Sequence, residues 1–416
     1  MLRRIPVRHV RLGMFIHEFA GSWMEHPFWR SKFLLDKARD LERIQRSSIR
    51  ELWIDTERGL DVEGDEPGVT QEVAEQQIDQ VLEQAAQVVS ETPLRLSIEE
   101  EAVQAAQICR KAQRAVKKMF QDVRMGQALD AEQMQPLVEE IAASVMRNPS
   151  AIIGLARLKT QNEYTYMHSV AVCALMTALA RQLKMSDELV YQAGLAGLLH
   201  DIGKVMIANA ILDKPGKLTE AEFNTIKKHP ELGHEILLQG RAVGAIPLDV
   251  CLHHHEKVDG SGYPHRLVAD QISVLARMGA ICDVYDAITS DRPYKRGWDP
   301  AEAMRKMAEW AKGHFDELIF QSFVKTVGIY PTGSLVRLSS QRLAVVVEQS
   351  GEQLLKPHVR VFFDVETRQP LPEEWIDLSL ATCTERILAR ESAQDWGLGS
   401  LEHLWHGGVR EPREGI

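Results

Sequence analysis

Eight of the 15 histidines lie between residues 168 and 265. The central feature of this region is His200-Asp201, an imidazole and a carboxylate side by side at the end of an apolar stretch. Such a pair can bind one divalent metal, and its carboxylate can also bridge to a second. A His-Asp dipeptide alone is a weak signal, but the surrounding histidines make a metal site the stronger interpretation.

The other candidate ligands are expected on separate helices; they are His168, His229, His254, His255 and Asp283. Consecutive positions on a helix point about 100° apart, so two adjacent histidines bind one metal poorly unless the helix is distorted near its end. A two-metal cluster uses this array more readily, because imidazoles fill outer positions while a carboxylate bridges. The absence of cysteine among the candidates favours iron or manganese over structural zinc.

Each candidate also has an ordinary structural explanation. His168 could be a simple helix-start residue, and His229 alone would be interpreted as an exposed residue. His234 and His265 are interpreted as surface residues or as groups that support a ligand. Of the three consecutive histidines at 253–255, one is expected not to be a ligand. Asp283 is stronger evidence, because it lies in an apolar helix where a buried carboxylate needs a partner.

Helical patterns dominate from residue 130 to about residue 330. They predict helices over residues 131–146, 166–183, 247–256, 271–288 and 300–312. Ser186 is placed to cap a further helix that ends at His200-Asp201. Thr219 to Glu222 matches a capping box, which predicts one helix running through His229 and His234.

The flanking segments differ from this helical region. Residues 1–60 predict a small α+β domain, with strands near Ile5, at 14–16 and at 49–55, and a helix at 36–46. The nearby aromatic residues are interpreted as a local core, with a partner surface as the alternative; they are Trp23, Phe28, Trp29 and Phe33.

Residues 61–68 are acidic and contain helix breakers, which is typical of a linker. Two connecting helices, broken near Pro93, are predicted over 70–124, and pairing with a second chain remains an alternative to internal packing. β-branched and alternating residues after 331 predict a short β-rich C-terminal element. The predicted domains are therefore 1–60, 61–130, 131–330 and 331–416.

The composition and charge of the chain exclude some classes of function. A hydrophobic content of 44% and a charged content of 26% over 416 residues are typical of a globular protein of two or three domains. The net charge of -10 argues against general DNA or RNA binding. Five scattered cysteines fit a reducing compartment. With neither a signal peptide nor an apolar run long enough to span a bilayer, we expect a cytoplasmic protein.

Five ordered motifs within residues 150–330 resemble the HD-GYP family of bacterial phosphodiesterases, which open cyclic di-GMP. They are HDIGK at 200–204, HPELG at 229–233, HHE at 254–256, DGSGYP at 259–264 and DVYDAITSDRPYK at 283–295. The N-terminal segment is similar to a domain often placed before such modules. Arg266 departs from the pattern, since glycine usually follows Tyr-Pro-x. Tyr164 stands where some members have a glutamate for a third metal, with Glu163 one step away.

The resemblance implies a mainly α fold in which a helical bundle holds the metal cluster. The implied metal ligands are His168, His200, Asp201, His229, His254, His255 and Asp283. Asp201 would bridge two metals, one beside His168, His200 and Asp283 and the other beside the remaining histidines. Asp201 and Lys204 are the implied catalytic residues, with Lys204 near the scissile phosphate. The implied substrate contacts are Arg292, Lys295 and the loop residues Gly262, Tyr263 and Pro264.

The expected function is therefore metal-dependent hydrolysis of cyclic di-GMP to linear pGpG, with onward cleavage to GMP left open. The alternatives are a poorly active cyclic di-GMP sensor or scaffold, and a hydrolase of another cyclic dinucleotide. The enzyme is favoured because every matched ligand is present. We expect two divalent metals per chain, iron or manganese before zinc. Signalling-protein partners and a homodimer remain open.

Overall fold

The computed structural model describes residues 1–20, 32–47, 49–62, 68–86, 96–158, 164–214, 216, 218–291, 297–350 and 353–406. The chain divides into two compact units. One comprises Met1–Leu82 with Arg305–His314, and the other comprises Glu83–Met304 with Phe315–Ile416. The four-part division predicted from the sequence stays a prediction.

The first unit contains an antiparallel five-stranded sheet with the order β3-β2-β4-β1-β5. The strands are β1 (Leu2–Pro6), β2 (Phe15–Phe19), β3 (Phe33–Leu34), β4 (Glu51–Asp55) and β5 (Val69–Thr70). Helix α1 (Ala38–Gln45) packs on the sheet through Ile44, and helix α2 (Gln71–Ala86) follows β5. The predicted small α+β fold is confirmed.

The predicted aromatic cluster and the predicted linker are described only in part. Phe33 lies in β3, with its ring centroid 6.5 Å from that of Phe19. Trp23, Phe28 and Trp29, the middle of the linker at 63–67 and the break near Pro93 lie outside the described residues.

The second unit is mainly helical. Its helices are α3 (Ile98–Arg124), α4 (Gln135–Arg147), α5 (Pro149–Arg157), α6 (Tyr164–Gln182), α7 (Asp187–Leu199), α8 (Asn209–Leu212), α9 (Glu220–Ile226), α10 (His229–Leu238), α11 (Ala245–His253), α12 (Val274–Thr289), α13 (Pro300–His314) and α14 (Glu317–Val327). Residues 305–314 of α13 belong to the first unit. None of the helices in the described part of the chain combines the length and apolar content that crossing a bilayer requires.

Helix α6 lies at the centre of this unit, because every side chain from Met167 to Ala180 is buried. Helix α7 packs against it and begins as predicted at Ser186, whose Oγ accepts a hydrogen bond from the Leu189 amide. The predicted capping box at Thr219 is also confirmed.

The single helix predicted from Thr219 through His229 and His234 is wrong. Helix α9 ends at Ile226, and α10 begins separately at His229. The physical reason is Pro230, which has no amide proton to donate to a preceding turn but fits the first turn of a new helix. His229 therefore starts a helix rather than lying inside one.

The C-terminal residues form a second antiparallel sheet with the order β10-β6-β7-β8-β9. Its strands are β6 (Leu335–Leu338), β7 (Arg342–Glu348), β8 (His358–Asp364), β9 (Gln369–Asp377) and β10 (Ile387–Arg390). The predicted β-rich element is confirmed, although the sequence did not indicate β9 or β10. Beyond it, the buried Trp405 ring packs near Gly154 and lies 5.4 Å from the Arg157 guanidinium.

Candidate metal centre

The His200-Asp201 pair lies where α7 ends. His200 follows the last residue of the helix, and Asp201 precedes a 3-10 turn over Ile202–Met206 that carries Lys204. This turn lies directly against the start of α10, because Gly203 has no side chain there. A Cβ at Gly203 would overlap the carbonyl oxygen of His229, so glycine is needed for the close approach.

One group of ligand atoms comes from α6, α7 and α12. His168, buried one turn after the start of α6, places Nε2 2.9 Å from Asp283 Oδ1. His200 Nε2 lies 3.9 Å from the same carboxylate oxygen. Asp201 Oδ2 completes the group, 3.4 Å from His168 Nε2 and 3.3 Å from His200 Nε2.

A second group comes from α10 and the end of α11. His229 Nε2 and His254 Nε2 are 3.3 Å apart, and the His255 ring centroid lies 5.0 Å from that of His229. Helix α11 ends at His253, so His254 lies at its cap and His255 beyond it. The regular 100° separation of neighbouring helix positions therefore does not apply, and the two histidines lie in one cluster.

Asp201 lies between these two groups. Its Oδ2 faces His168 and His200, while its Oδ1 lies 3.2 Å from His229 Nε2 and 3.9 Å from His254 Nε2. Each oxygen of one carboxylate thus faces a different set of imidazole nitrogens. That is the arrangement in which a carboxylate can bridge two metals.

Backbone carbonyl groups orient most of these imidazoles, because each accepts a hydrogen bond from the Nδ1 atom that points away from the cluster. The Nδ1 atoms of His200 and His229 lie 2.8 Å from the carbonyl oxygens of Gly197 and Ile226. Because a carbonyl only accepts, each Nδ1 carries the proton and each Nε2 keeps its lone pair for a metal.

For His168, a carboxylate rather than a backbone carbonyl accepts the proton of Nδ1. Its Nδ1 donates to Asp286 Oδ2 over 2.6 Å, and Ser290 Oγ donates to Asp286 Oδ1 over 3.2 Å. In the sequence, Asp286 is only one residue of the helix predicted at 271–288, which assigns it no role. The available signal was its spacing of three residues from Asp283, which places both side chains on one helix face.

The protonation states suit cation binding. Burial opposes the ionisation of Asp201, but Lys204 and nearby imidazoles hold its pKa well below the usual range. Burial likewise opposes the ionisation of Asp283, whose histidine neighbours keep its pKa well below the usual range. Burial lowers the pKa of His254 to about 3 and the pKa of His255 well below its ordinary value. Ionised carboxylates and neutral imidazoles are the forms that ligate metals. His200 differs: burial opposes its protonation, but the Asp201 carboxylate raises its pKa, so a bound metal would have to displace that proton.

Unsatisfied atoms indicate where a ligand belongs. Within the described residues, His200 Nε2 and Asp201 Oδ1 are buried without a hydrogen-bond partner. Buried polar atoms rarely remain unpaired in folded proteins, and a bound ion is one explanation. The nitrogen and oxygen donors of both groups therefore fit divalent transition metals.

The predicted loop residues lie beside the second group. The Tyr263 ring stacks on His255 with centroids 4.7 Å apart, and the Tyr263 amide donates to the His255 carbonyl. Gly262 fits against the backbone of residues 255–257, where a Cβ would collide. Pro264 follows through a cis peptide bond.

The backbone at the loop's exit shows why glycine is usual at position 266, where this chain has Arg266. The two carboxylate oxygens of Glu256 accept from the amides of His265 and Leu267, which fixes the backbone on either side. Arg266 consequently has a φ of 57°, in the left-handed region that glycine adopts readily.

The other residues singled out in the sequence have different outcomes. Lys204 donates a hydrogen bond to Asp201 Oδ2, so this pair is brought together. Arg292 and Lys295 lie outside the described residues, as does Glu163. Tyr164 stacks on His168 with ring centroids 5.8 Å apart.

Known proteins resemble this chain over almost its whole length. Sequence profiles of two families match the chain: a domain of unknown function (DUF3391) over residues 2–134 and the HD domain over residues 137–319. Cyclic di-GMP phosphodiesterase PA4108 of Pseudomonas aeruginosa is 54% identical over 414 residues, which cover 98% of this chain and 96% of that protein.

Two further relatives match shorter segments. The cyclic di-GMP phosphodiesterase response regulator RpfG of Xanthomonas campestris pv. campestris is 48% identical over 29% of this chain and 32% of its own length. The 3'3'-cGAMP-specific phosphodiesterase 3 of Vibrio cholerae is 36% identical over 41% of this chain and 37% of its own length.

Proposed function

This chain belongs to the HD-GYP family of bacterial cyclic di-GMP phosphodiesterases, and we propose that it hydrolyses cyclic di-GMP to linear pGpG at a centre of two divalent metals. The observation that carries the two-metal proposal is the position of Asp201, whose two oxygens face two different sets of imidazole nitrogens. Two divalent ions held there would activate a water and neutralise the charge of the phosphodiester.

The proposed ligand sets follow the two groups of atoms. His168, His200 and Asp283 would hold one ion, and His229, His254 and His255 would hold the other, with Asp201 shared. Iron or manganese is proposed before zinc, because the donors are imidazoles and carboxylates without a thiolate.

Two ions rather than three are proposed. A third ion would need another anionic ligand near His168, and the residue one helical turn before it is Tyr164. A phenol with an ordinary pKa of about 10 is a poor ligand for a hard cation. The stacking of Tyr164 on His168 gives that ring a packing role instead.

Lys204 is proposed to act on the substrate. Its ammonium group donates to Asp201, while 21% of its side chain remains exposed. It therefore lies at the boundary between the buried carboxylate and solvent, where a scissile phosphate can be reached. A cation there would stabilise the negative charge that develops on the phosphate oxygens.

The remaining substrate contacts are proposed from the motifs. Arg292 offers paired donors and Lys295 a point charge, which suit the phosphates of a cyclic dinucleotide. Tyr263, stacked on His255, presents an aromatic face beside the second ligand group. We propose that residues 262–264 form one wall of the substrate pocket.

The substrate is proposed to be cyclic di-GMP rather than a mixed cyclic dinucleotide. The near full-length likeness is to a protein named a cyclic di-GMP phosphodiesterase, whereas the cGAMP-specific relatives match only part of the chain. The described residues of the domain at 1–60 contribute no ligand to either group, and this domain is proposed to tune activity.

The proposed centre is tested with the Asp201→Ala variant. We expect it to lose bound metal and hydrolysis of cyclic di-GMP while keeping the helical circular dichroism spectrum. Asp187→Ala is the matched control, because Asp187 lies at the other end of α7 with 97% of its side chain exposed. Near-normal metal content and turnover in Asp201→Ala would contradict the bridging role.

The substrate is tested separately by giving the wild-type holoenzyme cyclic di-GMP and 3'3'-cGAMP and separating the products. Preferential conversion of cyclic di-GMP to pGpG is expected. Faster turnover of 3'3'-cGAMP would contradict the substrate assignment while leaving the metal centre unaffected. Accumulation of GMP would show that the enzyme also cleaves pGpG.

A further inference from the structure

A second pair of histidines lies outside the buried centre. His253, the last residue of α11, points away from the cluster that contains His254 and His255, and 16% of its side chain is exposed. Its Nε2 lies 3.3 Å from Nδ1 of His265, an exposed residue that directly follows the 262–264 loop. Twelve residues separate these two imidazoles in sequence.

The distance between the two nitrogens suits a shared metal. Two imidazole nitrogens bound to one tetrahedral ion at about 2.0–2.1 Å are separated by about 3.3–3.4 Å. His229 Nε2 and His254 Nε2, within the proposed buried centre, are also 3.3 Å apart.

The contacts of His253 Nδ1 resemble those behind a metal-bound histidine. Its Nδ1 donates to Asp249 Oδ1 over 2.7 Å, and these residues are four apart on α11. Ser273 Oγ in turn donates to Asp249 Oδ2. A carboxylate that accepts from one imidazole nitrogen fixes the tautomer and directs the other lone pair outward, as in carboxylate–histidine–zinc triads.

We propose that His253 and His265 form a peripheral site for a divalent transition metal such as Zn²⁺, with Asp249 as the supporting carboxylate and water in the open positions. His265 ligates through Nδ1 once its ring proton lies on Nε2, so binding needs only a change of tautomer. The ion would join the end of α11 to the exit of the 262–264 loop. The site is independent of the metals in the buried centre.

The test compares zinc binding by wild-type holoenzyme and by His265→Ala, using equilibrium dialysis at the same buffered free Zn²⁺. Zinc that enters the buried centre enters both proteins alike, so the difference isolates the peripheral site. We expect an additional zinc ion per wild-type chain that is lost in His265→Ala. Asp249→Ala should weaken binding of that ion by about 10-fold or more, because it removes the acceptor behind His253 Nδ1.

His403→Ala is the matched control, because His403 is also an exposed histidine and lies far from this pair in sequence. It should bind zinc as the wild type does. Zinc should also slow hydrogen exchange at the backbone of residues 263–267 in the wild type and not in His265→Ala. Identical zinc binding by the wild type, His265→Ala and Asp249→Ala would overturn the proposal.

Discussion

Replacing Asp286 by alanine should weaken metal binding although Asp286 is not a proposed ligand. In the native protein its carboxylate accepts from His168 Nδ1 over 2.6 Å, and only 2% of the His168 side chain is exposed. Without that acceptor, the buried imidazole either keeps an unpaired N–H or moves its proton to Nε2. The second outcome removes the lone pair that faces Asp283.

The expected magnitude follows from this geometry. Losing the carboxylate behind a metal-bound histidine typically weakens metal binding by about 10–100-fold, which corresponds to about 1.4–2.7 kcal/mol. We expect Asp286→Ala to fall within this range, because burial of His168 prevents bulk water from replacing the lost acceptor. Asp286→Asn should lose less, since its carbonyl oxygen can still accept.

The assay is a competition between each purified variant and a chelator at buffered free metal. Ser290→Ala is the control, because it removes only the 3.2 Å hydrogen bond behind Asp286 and should change affinity by less than about threefold. An Asp286→Ala affinity within twofold of the wild type would refute the view that Asp286 sets the tautomer of His168.

Three further predictions concern stability. Arg266→Gly should raise the free energy of unfolding by about 0.5–1 kcal/mol in urea denaturation, because glycine relieves the left-handed φ of 57°. Gly203→Ala should lower it by about 2–4 kcal/mol, because the added Cβ collides with backbone. Glu348 raises the pKa of His358 against the opposing effect of burial, with help from Asp377. Wild-type stability should therefore decline as pH rises above about 6.5, and His358→Gln should abolish that decline.

The sequence predicted the parts of the centre that depend on local pattern. His200-Asp201 at a helix end, the adjacent His254 and His255, and Asp283 in an apolar helix each carry their own signal. The structure brings these residues together, because helices α6, α7, α10, α11 and α12 pack around one point. Their assignment as ligands stays a prediction.

Features that depend on long-range contacts could not be predicted. Asp286 acquires its role only from His168, which is 118 residues away in sequence. The docking of Trp405 near Gly154 and Arg157 likewise joins distant segments, and nothing in the C-terminal sequence indicates it. Such contacts are set by the packed fold rather than by local periodicity.

The boundary between α9 and α10 differs from the sequence prediction for another reason. The capping box at Thr219 correctly predicted a helix start, but the following pattern was extended through Pro230. Proline restrains the residue before it away from a continuing helix and is favoured in a first turn. The chain therefore turns before His229, which places that imidazole at the start of α10.

The most direct measurement is anomalous X-ray diffraction from crystals of the metal-loaded wild-type protein. We expect two metal peaks in the buried centre of each chain, one beside His168, His200 and Asp283 and the other beside His229, His254 and His255. The Asp201 carboxylate should lie between them, with one oxygen on each. A single peak in the buried centre, two peaks that do not share Asp201, or a third buried metal beside Tyr164 would contradict the proposed two-metal centre.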